Sequence, residues 1–120
     1  MLHEKPTEDI IGAAMVILNK LKPGLDEKLY ERAMVLELRK RKHRIDQQKA
    51  YPVFFDAVQI GTLIPDLIVD EAVIVDPKVV VEFNDTDIAQ MIGYPNITGL
   101  QVARLLNFKH SDLRWKRVIR

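Results

Sequence analysis

The most constraining feature of the sequence is a run of mostly β-branched residues at positions 73–83, which Asp76 and Lys78 interrupt. β-Branched side chains favour extended backbone because a helix removes most of their χ1 freedom. A run that is apolar at consecutive rather than alternating positions is typical of a strand buried on both faces. The sequence therefore predicts a strand inside a sheet that other elements cover on both sides.

The spacing of apolar residues along the rest of the chain predicts the order α-α-β-β-β-α-β-β. Thr7 is placed to cap the first helix, Pro23-Gly24 to end it, and Pro95-Asn96 to end the third. The predicted segments are residues 7–22, 25–42, 51–55, 57–69, 73–83, 85–94, 99–107 and 112–119. This order predicts one domain, residues 1–120, of the α/β (α+β) class: a mixed sheet flanked by helices.

Composition excludes several kinds of chemistry. The chain has no cysteine, so disulfides, thiolate metal sites and thiol catalysis are excluded. The three histidines, His3, His43 and His110, lack the spacing of metal ligands. No apolar run approaches the roughly 20 residues that span a bilayer, and the N-terminus lacks an apolar signal core. We therefore expect a cytoplasmic protein without a membrane partner.

Basic residues are concentrated at positions 39–44, although the net charge is only +1. This run falls at the predicted end of the second helix, where cations complement the helix dipole. A solvated helix end is therefore the simpler interpretation. The alternative is that Arg39 and Arg41 contact a polyanionic substrate.

Three charged residues lie within the most apolar part of the chain: Asp66, Asp76 and Lys78. Asp76 and Lys78 are two residues apart on a strand and therefore share a face. If the turn at residues 70–72 has three residues, Asp66 falls opposite Asp76, with their Cβ atoms about 5 Å apart. A two-residue turn instead pairs Asp66 with Val75 and disperses the group, so strand register decides whether a site exists.

Two carboxylates at that separation repel each other, and a divalent cation relieves the repulsion. Hard oxygen ligands favour Mg²⁺ or Mn²⁺. A metal held by Asp66 and Asp76, with Lys78 to stabilise negative charge on phosphate oxygens, is suited to phosphodiester hydrolysis. The simpler alternative is a set of surface charges on a hairpin, but charges inside a buried sheet are rare and tend to be functional.

The same residues resemble a known motif. Pro65-Asp66 followed by Asp76-x-Lys78 resembles the signature of the PD-(D/E)XK nuclease superfamily. Gly24-x-x-Glu27-x-x-Tyr30 resembles the signature of its GxxExxY branch, and Gln90-x-x-x-Tyr94 resembles a downstream motif of RecB-like members. The resemblance covers nearly the whole chain.

The resemblance implies a restriction-endonuclease-like fold and a Mg²⁺-dependent (or Mn²⁺-dependent) nuclease that acts on DNA. Asp66, Asp76 and Glu27 would then be the metal ligands, and Lys78 the catalytic lysine. Gln90 and Tyr94, which lie four residues apart on one helix face, would position the DNA backbone or a metal-bound water. Because so small a domain offers little surface for specificity, a homodimer is compatible with this interpretation.

Two residues depart from the family pattern. Asp76 stands where Glu is usual in the GxxExxY branch, and Pro77 lies inside the strand that carries the motif. Proline donates no ladder hydrogen bond and is normally confined to edges, strand starts and bulges. Pro77 therefore favours the alternative of a weak or inactive nuclease-fold module that binds nucleic acid or a protein partner.

Overall fold

The computed structural model describes the backbone of residues 4–119 and the side chains from residue 6 onward; His3 and Arg120 lie outside the described residues. Two helices come first, followed by five strands, a third helix and two last strands. The elements are α1 (Glu4–Leu21), α2 (Glu27–Lys40), β1 (Ile45–Gln47), β2 (Tyr51–Phe55), β3 (Val58–Leu63), β4 (Leu67–Val69), β5 (Val73–Lys78), α3 (Asp85–Thr98), β6 (Val102–Asn107) and β7 (Arg114–Ile119).

Five of the strands form one mixed sheet in the order β1-β4-β5-β6-β7. Only the β5–β6 pair is parallel, and α3 is the crossover that joins these two strands. β2 and β3 form a separate two-stranded hairpin. The predicted mixed sheet flanked by helices is confirmed, and β5 lies at its centre as its apolar run requires.

Helices cover both faces of the sheet. One face packs against α1 and α2 through residues such as Tyr30, Met34 and Val75. The other face packs against α3 through Ile74, Met91 and their neighbours. Because side chains alternate along β5, Asp76 and Lys78 share the α3 face with Ile74. No helix in the part of the chain that the structure describes is both long and apolar enough to cross a membrane.

Three predicted boundaries are wrong. The predicted strand over residues 57–69 is interrupted before β4, where Pro65 cannot donate a ladder hydrogen bond. The strand predicted to reach residue 83 ends at Lys78. α3 continues through Pro95, which is buried, and ends at Thr98; Gly99 follows as the cap, with a φ of 79° that suits glycine. An interior proline removes one helix hydrogen bond, which is why the sequence predicts a stop before it.

His43 links its own loop to α1 and to the β4–β5 turn through hydrogen bonds. Its Nδ1 lies 2.5 Å from Asp70 in the β4–β5 turn, and its Nε2 lies 2.6 Å from Asp9 on α1. The backbone N–H of Arg44 donates to the other Asp70 oxygen at 2.8 Å. Burial by itself lowers the pKa of His43, but the hydrogen bonds and charges of the two aspartates outweigh it, so the pKa is raised. His43 is therefore a structural residue whose two aspartate partners favour the protonated ring, a role that its isolated position in the sequence did not indicate.

We expect His43→Gln to lower the free energy of unfolding by about 2 kcal/mol at pH 6, because two charge-assisted hydrogen bonds are lost. The folded-state pKa lies above the ordinary value of 6.5. The contribution of protonated His43 to the free energy of unfolding is therefore complete below pH 6.5 and disappears as pH rises through the folded-state pKa. Urea unfolding at pH 6 and pH 9 measures it, with His110→Gln as the control; an equal loss at both pH values would contradict the assignment.

Candidate active site

The register of the β4–β5 hairpin places two aspartates opposite each other. Val69 pairs with Val73 and Leu67 with Val75, so three residues form the turn. The next pair beyond the ladder is Asp66 and Asp76, which therefore face the same side of the sheet. The register with a three-residue turn is confirmed, and the two-residue alternative is wrong.

Asp76 is a buried carboxylate that the described residues leave incompletely paired. It is 3% exposed, and its Oδ1 has no hydrogen-bond partner. Its Oδ2 lies 3.6 Å from Nζ of Lys78, and its carboxyl group is close enough to Asp66 to share a hydrogen bond. Burial, followed by the hydrogen bond and charge of Asp66, raises the pKa of Asp76 to about 8. The fold therefore maintains a carboxylate pair in which Lys78 lies beside one oxygen of Asp76 and the other oxygen is left without a partner.

α3 brings two more of the predicted residues to this face. The side-chain amide of Gln90 donates to the hydroxyl oxygen of Tyr94 at 2.7 Å. Burial, and then the charges of Asp76 and Asp66, raise the pKa of Tyr94 to about 12. Tyr94 therefore keeps its proton within the field of both carboxylates. Because Gln90 already donates to its oxygen, Tyr94 can itself donate to a substrate or a water.

Glu27 reaches the site from the opposite face of the sheet, as the first residue of α2. Its carboxylate accepts a hydrogen bond from the backbone N–H of Val79, just beyond Lys78. Burial raises its pKa; the charge of Lys78 opposes this rise and the charge of Asp66 adds to it. Glu27 therefore lies within electrostatic range of both Lys78 and Asp66.

The spacing Gly24-x-x-Glu27-x-x-Tyr30 has a structural explanation. Gly24 has a φ of 115°, which residues other than glycine rarely adopt. The Tyr30 hydroxyl donates to the carbonyl of Lys22 at 2.6 Å and accepts from the N–H of Leu25 at 3.2 Å. Tyr30 also stacks on Phe108, with ring centroids 4.8 Å apart. The turn and the tyrosine together fix the start of α2, and so the place from which Glu27 extends.

The pair formed by Asp66 and Asp76 is better satisfied by a divalent cation than by the protein groups around it. Asp66 and Asp76 offer hard oxygen ligands, and the unpartnered Oδ1 of Asp76 is a ready ligand atom. Within residues 4–119, however, no three acidic or histidine side chains are grouped closely enough to hold a metal ion. Glu27 thus lies near the pair without completing a three-residue ligand set, and its predicted role as a metal ligand stays a prediction.

Arg39 and Arg41 are not brought to the carboxylate pair. They lie twelve and fourteen residues beyond Glu27 at the other end of α2, about 18 Å along the helix axis for Arg39. Arg41 forms ion pairs with Glu37 at 3.0 Å and with Asp9 at 3.5 Å. Their predicted contact with substrate stays a prediction, and it requires a substrate that extends across the molecule.

Pro77 is accommodated without loss of a ladder bond. The N–H of Phe108 donates to the carbonyl of Lys78 at 2.9 Å, so the backbone of Lys78 faces β6. Successive residues of a strand alternate, so the backbone of Pro77 faces the β4 side. The ladder on that side ends at Leu67 and Val75, before Pro77 is reached. The missing N–H therefore costs no strand pairing, which removes the main structural argument against catalysis.

The side chain of Asn107 extends the hydrogen bonding of the sheet beyond Lys78, and the sequence indicates only that Asn107 lies at the end of a strand. The side chain is 1% exposed. Its amide donates to the carbonyl of Val80 at 2.7 Å, and its oxygen accepts from the N–H groups of Val80 and Lys109 at 3.2 and 3.1 Å. These bonds hold the segment that carries the Val79 N–H to which Glu27 binds.

We expect Asn107→Ala to lower the free energy of unfolding by about 2 kcal/mol, because the buried Asn107 side chain makes three part-buried hydrogen bonds to the backbone that are all lost. The same change should increase hydrogen exchange at the amides of Val80 and Lys109. Urea unfolding and amide exchange measure the two effects, with exposed Asn96→Ala as the control. Unchanged exchange at Val80 would contradict this role for Asn107.

Comparison with known proteins gives two findings. The family profile of the PD-(D/E)XK nuclease superfamily matches residues 4–118. A crystal structure of an alkaline exonuclease from Laribacter hongkongensis is similar in fold, with a TM-score of 0.57 and 10% sequence identity over 100% of this chain and 72% of that chain. No curated protein matches the sequence. At this identity the structural likeness supports the fold alone.

Proposed function

Because this chain belongs to the PD-(D/E)XK nuclease superfamily, we propose that it is a metal-dependent nuclease that hydrolyses phosphodiester bonds in DNA. The observation that carries the proposal is the buried, incompletely paired Asp76 beside Asp66, with Lys78 on the same face. A structural role does not require this arrangement, because a buried carboxylate pair without a cation costs stability. Catalysis offers a reason to keep it.

Each residue has a specific task in this proposal. Asp66 and Asp76 would hold Mg²⁺ or Mn²⁺, which when bound supplies Lewis acidity and lowers the pKa of a coordinated water. Lys78 stabilises the negative charge that develops on the phosphate oxygens. Tyr94, with its proton retained, donates a hydrogen bond to a phosphate oxygen or a water, and Gln90 orients it.

Two finer assignments belong to the proposal. The Gly24, Glu27 and Tyr30 signature supports membership of the GxxExxY branch, in which Glu27 would be the helix-borne third ligand of the cation. DNA rather than RNA is proposed from the superfamily resemblance, and the protein of similar fold is itself an alkaline exonuclease.

Cleavage of labelled oligonucleotides tests the proposal. Single-stranded DNA, duplex DNA and matched RNA are incubated with the protein in Mg²⁺, in Mn²⁺ and in chelator. We expect cleavage of DNA that requires a divalent cation. Cleavage that survives the chelator would contradict the metal-dependent mechanism, and preferential cleavage of RNA would contradict the substrate.

One observation favours a second candidate, a nuclease-fold module that binds nucleic acid without cutting it. The described residues contain no group of three acidic or histidine side chains placed to hold a metal. This candidate predicts DNA binding that weakens steeply with salt and shows no turnover with either cation. A retardation assay over a salt series, run beside the cleavage assay, separates the two candidates.

A further inference from the structure

Arg104 is a buried arginine that forms no ion pair or hydrogen bond with another described side chain. Its side chain lies on β6 and is 6% exposed, and its Nε has no hydrogen-bond partner within residues 6–119. Burial, followed by the charge of Arg117, lowers the pKa of Arg104. A buried cation without a counter-charge is costly, so Arg104 is suited to binding an anion.

The register of β6 and β7 places a second arginine beside the first. Arg104 pairs with Arg117 in an antiparallel ladder that has no bulge. Facing residues in such a ladder share a side of the sheet, with Cβ atoms about 5 Å apart. Arg104 faces the same side as Val102, which packs in the core beneath α1 and α2. Both arginines therefore lie on the side of the sheet opposite to Asp76 and Lys78.

The edge strand β7 leaves this side of the sheet accessible to a ligand. Trp115 and Ile119, which flank Arg117 at alternate positions, are 44% and 53% exposed. The helices therefore do not fully cover β7 here, and a ligand can approach Arg117, and Arg104 behind it, from the edge of the sheet. Trp115 lies about 7 Å along the strand from Arg117 and on the same side.

Two neighbouring guanidinium groups match the charge of a phosphate monoester. Arginine binds phosphate and carboxylate oxygens through paired hydrogen bonds. A phosphate monoester carries about 1.5 to 2 negative charges at pH 7, whereas a carboxylate or a backbone phosphodiester carries one. The exposed indole of Trp115 next to the arginines offers a surface on which a base can stack. The combination therefore suits a nucleoside monophosphate.

We propose that the β6–β7 edge of the sheet binds a nucleoside monophosphate, whose phosphate contacts Arg104 and Arg117 and whose base stacks on Trp115. This site and the carboxylate pair lie on opposite sides of the sheet, so both can be occupied at the same time. The inference does not rest on the proposed nuclease activity, because it uses no residue of the candidate active site.

Quenching of tryptophan fluorescence by adenosine monophosphate tests the proposal, because Trp115 is the only tryptophan of the chain. The titration contains chelator, which prevents binding through a cation at the carboxylate pair. We expect saturable quenching that inorganic phosphate reverses and that adenosine does not produce. Arg104→Met and Arg117→Met should each weaken binding by about 10-fold or more, the effect of losing hydrogen bonds to a charged group. The control Arg32→Met removes an exposed arginine on α2 and should leave binding unchanged.

Thermal unfolding without nucleotide separates this role from a structural one. Arg104→Met removes a buried cation, so the unfolding temperature should rise by about 4 °C. An unchanged or lower temperature would identify Arg104 as a structural residue and overturn the proposal. So would the absence of quenching, equal quenching by adenosine, or equal weakening by Arg32→Met. Tighter binding of an oligonucleotide without a terminal phosphate would assign the edge to a nucleic-acid backbone, which also overturns it.

Discussion

Asp76→Asn is expected to abolish cleavage and to stabilise the metal-free protein at the same time. The amide cannot supply the negative oxygen that a divalent cation needs, so the cleavage rate should fall by at least about 10³-fold. The same change removes a buried charge that faces Asp66. The free energy of unfolding at pH 8 should therefore rise by about 1–2 kcal/mol, the usual size of such a trade-off between activity and stability.

Cleavage kinetics in Mn²⁺ and urea unfolding in chelator measure the two effects on one preparation. Asp112→Asn is the matched control, because Asp112 is an exposed aspartate whose contact with Arg114 lies at the surface. We expect the control to change neither quantity measurably. An Asp76→Asn protein that is inactive but also destabilised would indicate a structural role for the carboxylate, which our account does not allow.

A divalent cation is expected to stabilise the protein strongly at pH 8 and weakly at pH 5. The pKa of Asp76 is raised from 3.8 to about 8 in the folded protein. For an acid with a raised pKa, the contribution to stability is complete below the unfolded value and is lost as pH rises through the folded value. The metal-free protein should therefore become less stable as pH rises from about 4 to about 8.

Mg²⁺ or Mn²⁺ must compete with the proton for this site, so its effect grows over the same pH interval. At a concentration 100 times the dissociation constant, the expected stabilisation is about 2.7 kcal/mol. Thermal unfolding at pH 5 and pH 8, with and without Mn²⁺, measures it, and Asp76→Asn should eliminate the difference. A Mn²⁺ effect that is the same at both pH values would contradict the assignment of the site to Asp76.

The sequence was most informative where one pattern had one structural solution. The β-branched run from Val73 onward requires a central strand, and β5 occupies that position. The apolar residues on both sides of residues 70–72 required a turn, and its length then determined that Asp66 lies opposite Asp76. Side-chain alternation along β5 placed Lys78 on the same face.

Such local patterns do not predict contacts between segments that are distant in the sequence. His43 gains its role only because Asp9 and Asp70 converge on it from two other elements. The Asn107 side chain forms hydrogen bonds to the backbone of Val80 like those between strands. No pattern in the residues around Asn107 predicts these bonds. Pro77 was interpreted as a disturbance because the sequence does not indicate where β4 ends.

Diffraction from a crystal soaked in Mn²⁺, measured at the manganese absorption edge, tests the central claim most directly. We predict an anomalous peak between Asp66 and Asp76, with one oxygen of each at about 2.0–2.2 Å, near the distance found for Mg²⁺. Absence of that peak at a saturating concentration, or a manganese ion bound elsewhere while the two carboxyl groups remain in contact with each other, would contradict the account.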